Sequence, residues 1–172
     1  QFTKDATNLS KLENIILRYA GYNIGTSGGA GIRVDQVSIS LKNSTIEKNL
    51  QSGVLLLNSS STIDAVSFLD NEVVPGYTPQ DGVGVYIQGG GPQIINSYFK
   101  GNIYGVRMRQ WWDSVNKEFP PFPTITNNNF EQNVKPIYVY SNSHPFFANN
   151  QATGNDLNAI VVEGNIQSDT TW

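Results

Sequence analysis

A seven-residue pattern, one apolar side chain framed by amides as in "NNNFEQN" at 127–133, recurs along this chain and limits its possible folds more than any other feature. "NSTIEKN" at 43–49, "AVSFLDN" at 65–71, "NSYFKGN" at 96–102 and "NNQATGN" at 149–155 superpose on it, and "NIILRYA" at 14–20 is a degenerate first copy. The copies begin at 14, 43, 65, 96, 127 and 149, so the steps are 29, 22, 31, 31 and 22 residues. A unit of 22 residues with insertions of seven to nine accounts for every step. A unit this short cannot bury its own apolar side chains, and stacking on similar units is the physical solution.

An apolar residue stands two places before each heptad (Leu12, Leu41, Ile63, Ile94, Ile125, Phe147), and another holds its fourth place (Leu17, Ile46, Phe68, Phe99, Phe130, Ala152). Downstream, each unit has a short alternating segment: "GIRVD" from 31, "GVLLL" from 53, "GVYIQ" from 84, "GVRMR" from 105, "PIYVY" from 136 and "AIVVE" from 159. Period-two alternation predicts half-buried strands with inward pairs Ile32/Val34, Val54/Leu56, Val85/Ile87, Val106/Met108, Ile137/Val139 and Ile160/Val162. Each unit thus supplies three short strands separated by corners marked by Asn or Gly. Asparagine suits a corner because it tolerates left-handed backbone angles and bonds its own main chain.

Coils stacked in parallel about 4.8 Å apart would line these corner asparagines into two ladders, whose amides hydrogen-bond along the axis. The first ladder is expected to hold Asn14, Asn43, Asn96, Asn127 and Asn149, with Ala65 interrupting it. The second holds Asn49, Asn71, Asn102, Asn133 and Asn155, with Ala20 in the first place. Pro92, Pro123 and Pro145 open the next strand in three successive coils, where a missing donor and a fixed φ are tolerated.

Asn-x-x-Phe-x-x-Asn followed by Gly-Val-x-Val resembles the right-handed parallel β-helix repeat of the pectate-lyase-like superfamily, over roughly residues 11–165. The resemblance implies an all-β solenoid of about six coils, with three short strands per coil, Asn ladders at the corners and loop insertions, over a single domain of residues 1–172. It is weak for function, since that architecture hosts lyases, glycosidases, phage spikes and non-enzymatic surface proteins. The chain is most similar to the non-catalytic cell-surface and secreted members.

Solenoid ends expose apolar interior and usually need caps. Neither "QFTKDATNLSK" at the start nor "GNIQSDTTW" at the end contains an amphipathic helix. The expectation is either a segment of a longer solenoid, or stacking against partners or copies of itself, or short loops that cover both ends.

Several function classes are excluded or disfavoured. Eleven basic and 14 acidic residues give a net charge of −3 without a block of like charge, so attraction to nucleic acid or anionic lipid is not expected. The longest apolar run, "GVLLL", is far too short to enter a membrane as a span. With no cysteine and one histidine, His144 at a corner, a transition-metal site is close to excluded. Asp81 and Asp113 are loop acids without an Asp-x-Asp cluster, so a calcium site is not expected either, and no cofactor is called for. Glu47, Asp70 and Glu131 scatter among Lys48 and Lys100 and do not form the paired carboxylates that glycoside hydrolysis requires. The sequons at Asn8, Asn43 and Asn58 are what chance gives in an Asn-rich chain.

The outward positions of the glycine-led strand form two columns. One reads Arg33, Leu55, Tyr86, Arg107, Tyr138, Val161; the other reads Asp35, Leu57, Gln88, Arg109, Tyr140, Glu163. Beyond Arg109 comes the insertion "QWWDSVNKEFPPF", with Trp111, Trp112, Phe119 and Phe122. Flat aromatics beside guanidinium and carboxamide donors are the chemistry that grips sugar rings, which makes Tyr86, Gln88, Arg107, Arg109, Trp111, Trp112, Tyr138 and Tyr140 the candidate ligand-binding residues. The alternative is that the tryptophans fold back over Leu55, Leu57 and Tyr138, or meet a neighbouring chain, because four large aromatics are costly to leave in water. The loops at 21–31 and 72–84 would leave together from the opposite corner, and Gly28 and Gly29 are read as flexible loop rather than a phosphate cradle. Together these features point to a non-catalytic extracellular or cell-surface scaffold that binds a glycan (polysaccharide) or a surface protein. A polysaccharide lyase or glycoside hydrolase is one alternative, and a self-stacking filament or surface-layer subunit the other.

Overall fold

The computed structural model describes residues 1–6, 10–21, 29–72, 82–112 and 118–165. Within them the repeat winds into six coils, and each coil gives one strand to each of three six-stranded parallel sheets. The first sheet stacks Lys11–Glu13, Ser40–Lys42, Thr62–Asp64, Gln93–Ile95, Thr124–Thr126 and Phe146–Ala148. The second stacks Ile16–Arg18, Thr45–Glu47, Ser67–Leu69, Tyr98–Lys100, Asn129–Glu131 and Gln151–Thr153. Ile32–Asp35, Ser52–Leu57, Val83–Gln88, Tyr104–Arg109, Lys135–Tyr140 and Ile160–Glu163 form the third, with the longest strands.

Register follows the apolar columns. Leu12, Leu41, Ile63, Ile94, Ile125 and Phe147 are successive Cα partners, as are Leu17, Ile46, Phe68, Phe99, Phe130 and Ala152. The rings of Phe68 and Phe99 lie 4.9 Å apart at 9°, and those of Phe99 and Phe130 lie 4.8 Å apart at 10°. That separation is the spacing between neighbouring strands, so the backbone sets the ring pile. All three phenylalanines are buried, with the third sheet's inward residues from Ile32 to Val139.

The glycines of the third sheet belong to this core and not to the corners. A Cβ on Gly84 would stand 2.8 Å from the Phe99 ring, and one on Gly105 would stand 2.7 Å from the Phe130 ring. Each ring therefore lies against a strand position that only glycine leaves open.

One Asn ladder forms as expected. The Nδ2 of Asn49 donates to Oδ1 of Asn71 at 3.1 Å, Asn71 to Asn102 at 2.9 Å, Asn102 to Asn133 at 3.0 Å and Asn133 to Asn155 at 3.0 Å. Each Oδ1 also takes a backbone N–H from the preceding coil: Asn71 N–H reaches Asn102 at 3.1 Å, and Ala20 N–H reaches Asn49 at 3.0 Å. The second Nδ2 hydrogen goes to a strand carbonyl, as from Asn102 to Phe68 O at 3.0 Å, so each buried amide is fully used. In the last coil, Oδ1 of Asn158 accepts from both the backbone N–H of Asn155 at 3.0 Å and its Nδ2 at 2.9 Å. A residue three places along the chain thereby fills the acceptor position of a further rung.

The other expected ladder is corrected by one residue. Asn14, Asn43, Asn96, Asn127 and Asn149 are exposed, and each has a positive φ between 47° and 57°, as Ala65 does at 54°. They turn the chain and do not bond one another. The polar column inside is the residue after each: Ser44, Ser97, Asn128 and Asn150, with Ile15 and Val66 in the remaining coils. Ser97 N–H donates to Asn128 Oδ1 at 2.9 Å, and Asn128 N–H and Nδ2 both donate to Asn150 Oδ1 at 3.0 Å. Left-handed geometry, not a ladder of amides, explains the asparagines that open each heptad, although Asn96 Nδ2 also donates to Asp64 Oδ1 of the preceding coil at 3.0 Å.

Pro92, Pro123 and Pro145 directly precede strands of the first sheet and are buried; the carbonyls of Pro92 and Pro123 accept from Thr124 N–H at 2.9 Å and Phe146 N–H at 2.8 Å. At the first coil, Phe2 adds a rung to the third sheet by exchanging bonds with Arg33 O at 2.8 Å and Asp35 N–H at 2.9 Å. Phe2 and Ala6 pack on the core there. At the sixth coil, Ile160 and Val162 are 42% and 40% exposed, and Ile160 lines a hollow of ≈ 300 Å³ together with Phe130, Phe147 and Ala152.

Candidate functional site

The two outward columns of the third sheet stand as the alternation requires. Arg33, Leu55, Tyr86, Arg107, Tyr138 and Val161 are successive partners, and Leu57, Gln88 and Arg109 run beside them in register, with Tyr140 opposite Glu163. Arg107 is only 6% exposed, unusually low for a side chain on an outer face. Its guanidinium lies 5.0 Å from the Tyr86 ring centre, 5.4 Å from Tyr104 and 5.7 Å from Tyr138. Lys135 Nζ approaches Tyr104 at 5.4 Å and Tyr138 at 5.1 Å, and those two rings meet edge-on at 5.2 Å. The tyrosine faces nearest the middle of the sheet are therefore covered by the protein's own cations.

Further along the strands, Arg109 lies 5.8 Å from the Tyr140 ring centre. Arg107, Arg109, Tyr138, Tyr140 and Glu163 surround a hollow of ≈ 220 Å³, floored by Met108. The Tyr138 hydroxyl donates to Oε2 of Glu163. Burial, and then the bond to Glu163 and its charge, push the Tyr138 phenol up to about 12. Of the eight candidates, Arg107, Arg109, Tyr138 and Tyr140 come together around this hollow. Tyr86 and Gln88 stand in the columns outside it.

The tryptophan insertion is an antiparallel hairpin, Trp111–Trp112 against Glu118–Phe119, and residues 113–117 lie outside the described residues. Trp111 and Phe119 contact each other with ring centres 5.3 Å apart and dock on Gly89, where a Cβ would meet the Cβ atoms of both at 3.2 Å. Phe122 lies across Gly91 in the same manner. Asn142 Nδ2 ties the hairpin down through Glu118 Oε1 at 2.8 Å. The glycine corner at 89–91 is thus the seat of the hairpin. Trp111 is half-buried, whereas Trp112 is 49% exposed and Phe122 59%.

Several of the described acids away from this site are paired. Arg18 meets Glu47 at 3.1 Å, and Lys42 meets Asp64 at 3.8 Å. Glu131 accepts from Tyr98 at 2.6 Å and Lys100 at 3.3 Å, and those two bonds hold its carboxyl below the usual range. Among the described residues, no three of His, Asp or Glu gather around a possible metal position. His144 is exposed at its corner, its backbone N–H donating to Pro121 O at 2.8 Å. Asp81, Asp113 and Gly28 lie outside the described residues, as does most of the two glycine-rich loops.

Tyr104, Lys135 and the role of Glu163 were missed at the level of sequence. Tyr104 and Lys135 stand one residue before Gly105 and Pro136, the positions taken to open those strands, yet both strands begin with them. The alternating run after Gly105 and after Pro136 hid this earlier start.

The family described as "Right handed beta helix region" matches residues 30–165. No curated protein and no solved structure matches the chain.

Proposed function

Since the chain belongs to the right-handed β-helix family, we propose that it is a non-catalytic extracellular or cell-surface module that holds a glycan on its third sheet. The observation that carries this is the hollow of ≈ 220 Å³ between Arg107, Arg109, Tyr138, Tyr140 and Glu163, with exposed Trp112 on the hairpin beyond Arg109. Guanidiniums and phenols donate to sugar oxygens, and a ring face takes the apolar side of a pyranose. A strand-borne site of this kind is rigid before it binds, which lowers the entropic cost of holding a ligand. Among the described residues Glu163 is the one carboxylate that lines the hollow, whereas a glycosidase uses a pair.

Titration of immobilised protein with a panel of oligosaccharides tests the proposal. Binding that weakens at least about tenfold in Arg109→Ala and Tyr140→Ala supports it. Release of reducing or unsaturated ends from any polysaccharide overturns the non-catalytic part.

The apolar hollow of ≈ 300 Å³ at the sixth coil favours a second reading, in which copies stack end to end. Light scattering that rises with concentration, and falls in Ile160→Lys, supports it.

A further inference from the structure

Resting on the glycan-binding role above, we propose that the hollow beside Tyr138 selects neutral, hydroxyl-rich sugar residues and turns away acidic ones, with Glu163 as the residue that sets this preference. Its lining comes from three successive coils: Arg107 and Arg109 from the fourth, Tyr138 and Tyr140 from the fifth, Glu163 from the sixth. A guanidinium only donates hydrogen bonds and a carboxylate only accepts them. A sugar hydroxyl does both, so one neutral pyranose answers the arginines and the glutamate together. A uronate or sulfate group only accepts. It would answer the arginines and set a second negative charge against Glu163, and like charges brought together across a binding surface cost affinity.

Two further features bear on this. Glu163 accepts a hydrogen bond at Oε2 from the Tyr138 hydroxyl, which favours the position of the carboxylate beside the hollow. Arg107 is buried with its guanidinium against the faces of Tyr86, Tyr104 and Tyr138, and Arg109 lies over Tyr140. These contacts hold both guanidiniums in place but leave their charge intact, so Glu163 is the group that must turn an acidic residue away. At ≈ 220 Å³ the hollow is smaller than pockets that enclose drug-sized ligands, about 300–1,000 Å³, and suits a single ring of a longer chain.

The experiment is calorimetric titration of the full chain and of Glu163→Gln with matched pairs of probes: cellotetraose and mannotetraose against tetragalacturonate and a sulfated tetrasaccharide. The wild type is expected to bind a neutral probe more tightly than its acidic counterparts, and Glu163→Gln to shift that ratio toward the acidic probes by about five- to tenfold. Thermal unfolding of the variant, with Tyr138→Phe as a second route to releasing Glu163, separates a loss of specificity from a loss of fold. Equal or tighter binding of the acidic probes by the wild type, or an unchanged ratio in Glu163→Gln and Tyr138→Phe, overturns the inference and leaves glycan binding standing. Failure of every probe to bind overturns both.

Discussion

Asn71 Nδ2 donates to Asn102 Oδ1 at 2.9 Å, and the backbone N–H of Asn71 donates to the same oxygen at 3.1 Å. Two neighbouring coils are thereby joined inside the protein by one buried side chain. Asn102→Ala removes that acceptor and also the donor to Phe68 O at 3.0 Å, leaving several buried polar groups without partners. The expected loss is about 3–5 kcal/mol, read by urea denaturation. Asn96→Ala, at an exposed left-handed corner, is expected to cost about 1 kcal/mol. Similar losses for the two would contradict their assignment to different roles.

Phe99 is stacked between Phe68 and Phe130 and fully buried. Phe99→Ala is expected to destabilise by about 3–5 kcal/mol, since the coil spacing is fixed by hydrogen bonds and cannot close over the void. Phe99→Leu should cost clearly less. A small effect of Phe99→Ala in chemical denaturation would mean that the ring pile contributes little.

Ala65 holds φ 54° with an exposed side chain, at the corner where other coils carry asparagine. Ala65→Asn is expected to stabilise by about 0.5–1 kcal/mol, because asparagine enters the left-handed region at lower cost than alanine. The midpoint of thermal unfolding should rise. A fall would show that the corner is constrained by something other than backbone angle.

Tyr138 titrates near 12 in the folded protein and near 10 in the unfolded chain. A raised folded value favours the protonated form, so this contribution to stability is fully present below pH 10 and is lost as the pH climbs toward 12. In an absorbance titration of phenolate, Tyr138 should ionise late, as should Tyr98, which its bond to Glu131 also raises, and Tyr138→Phe should reduce the amplitude of the late step. An unchanged late amplitude in Tyr138→Phe would assign that step to other tyrosines.

How much of this was legible in the sequence depended on whether one residue type had one physical use. Leu41 over Ile63 and Phe99 over Phe130 were readable because an apolar residue in a strand has one purpose, burial. Asparagine has two here. At Asn96 it serves the backbone angle and at Asn102 it serves hydrogen bonding, and the letter is the same. The distinguishing mark was Ala65: alanine can occupy a turn but cannot be a rung, and the next residue in most coils, such as Ser44 or Ser97, is polar and small. Glycine misled in the same way. Gly105 reads as a corner, yet it is a strand residue that makes room for the Phe130 ring, so Tyr104 before it was left off the outer face. Around the hollow, Arg109 and Tyr140 followed from alternation alone, whereas the bond from Tyr138 to Glu163 joins residues 25 apart and needed three dimensions.

The amides from Asn49 to Asn155 all point the same way, each carbonyl toward the first coil and each Nδ2 toward the last. Dipoles of neighbouring backbone groups in a sheet largely cancel, and this row does not. The molecule therefore has an internal electrical compass: a buried line of aligned carboxamides that distinguishes one end of the axis from the other, and whose last donor is already satisfied by Asn158.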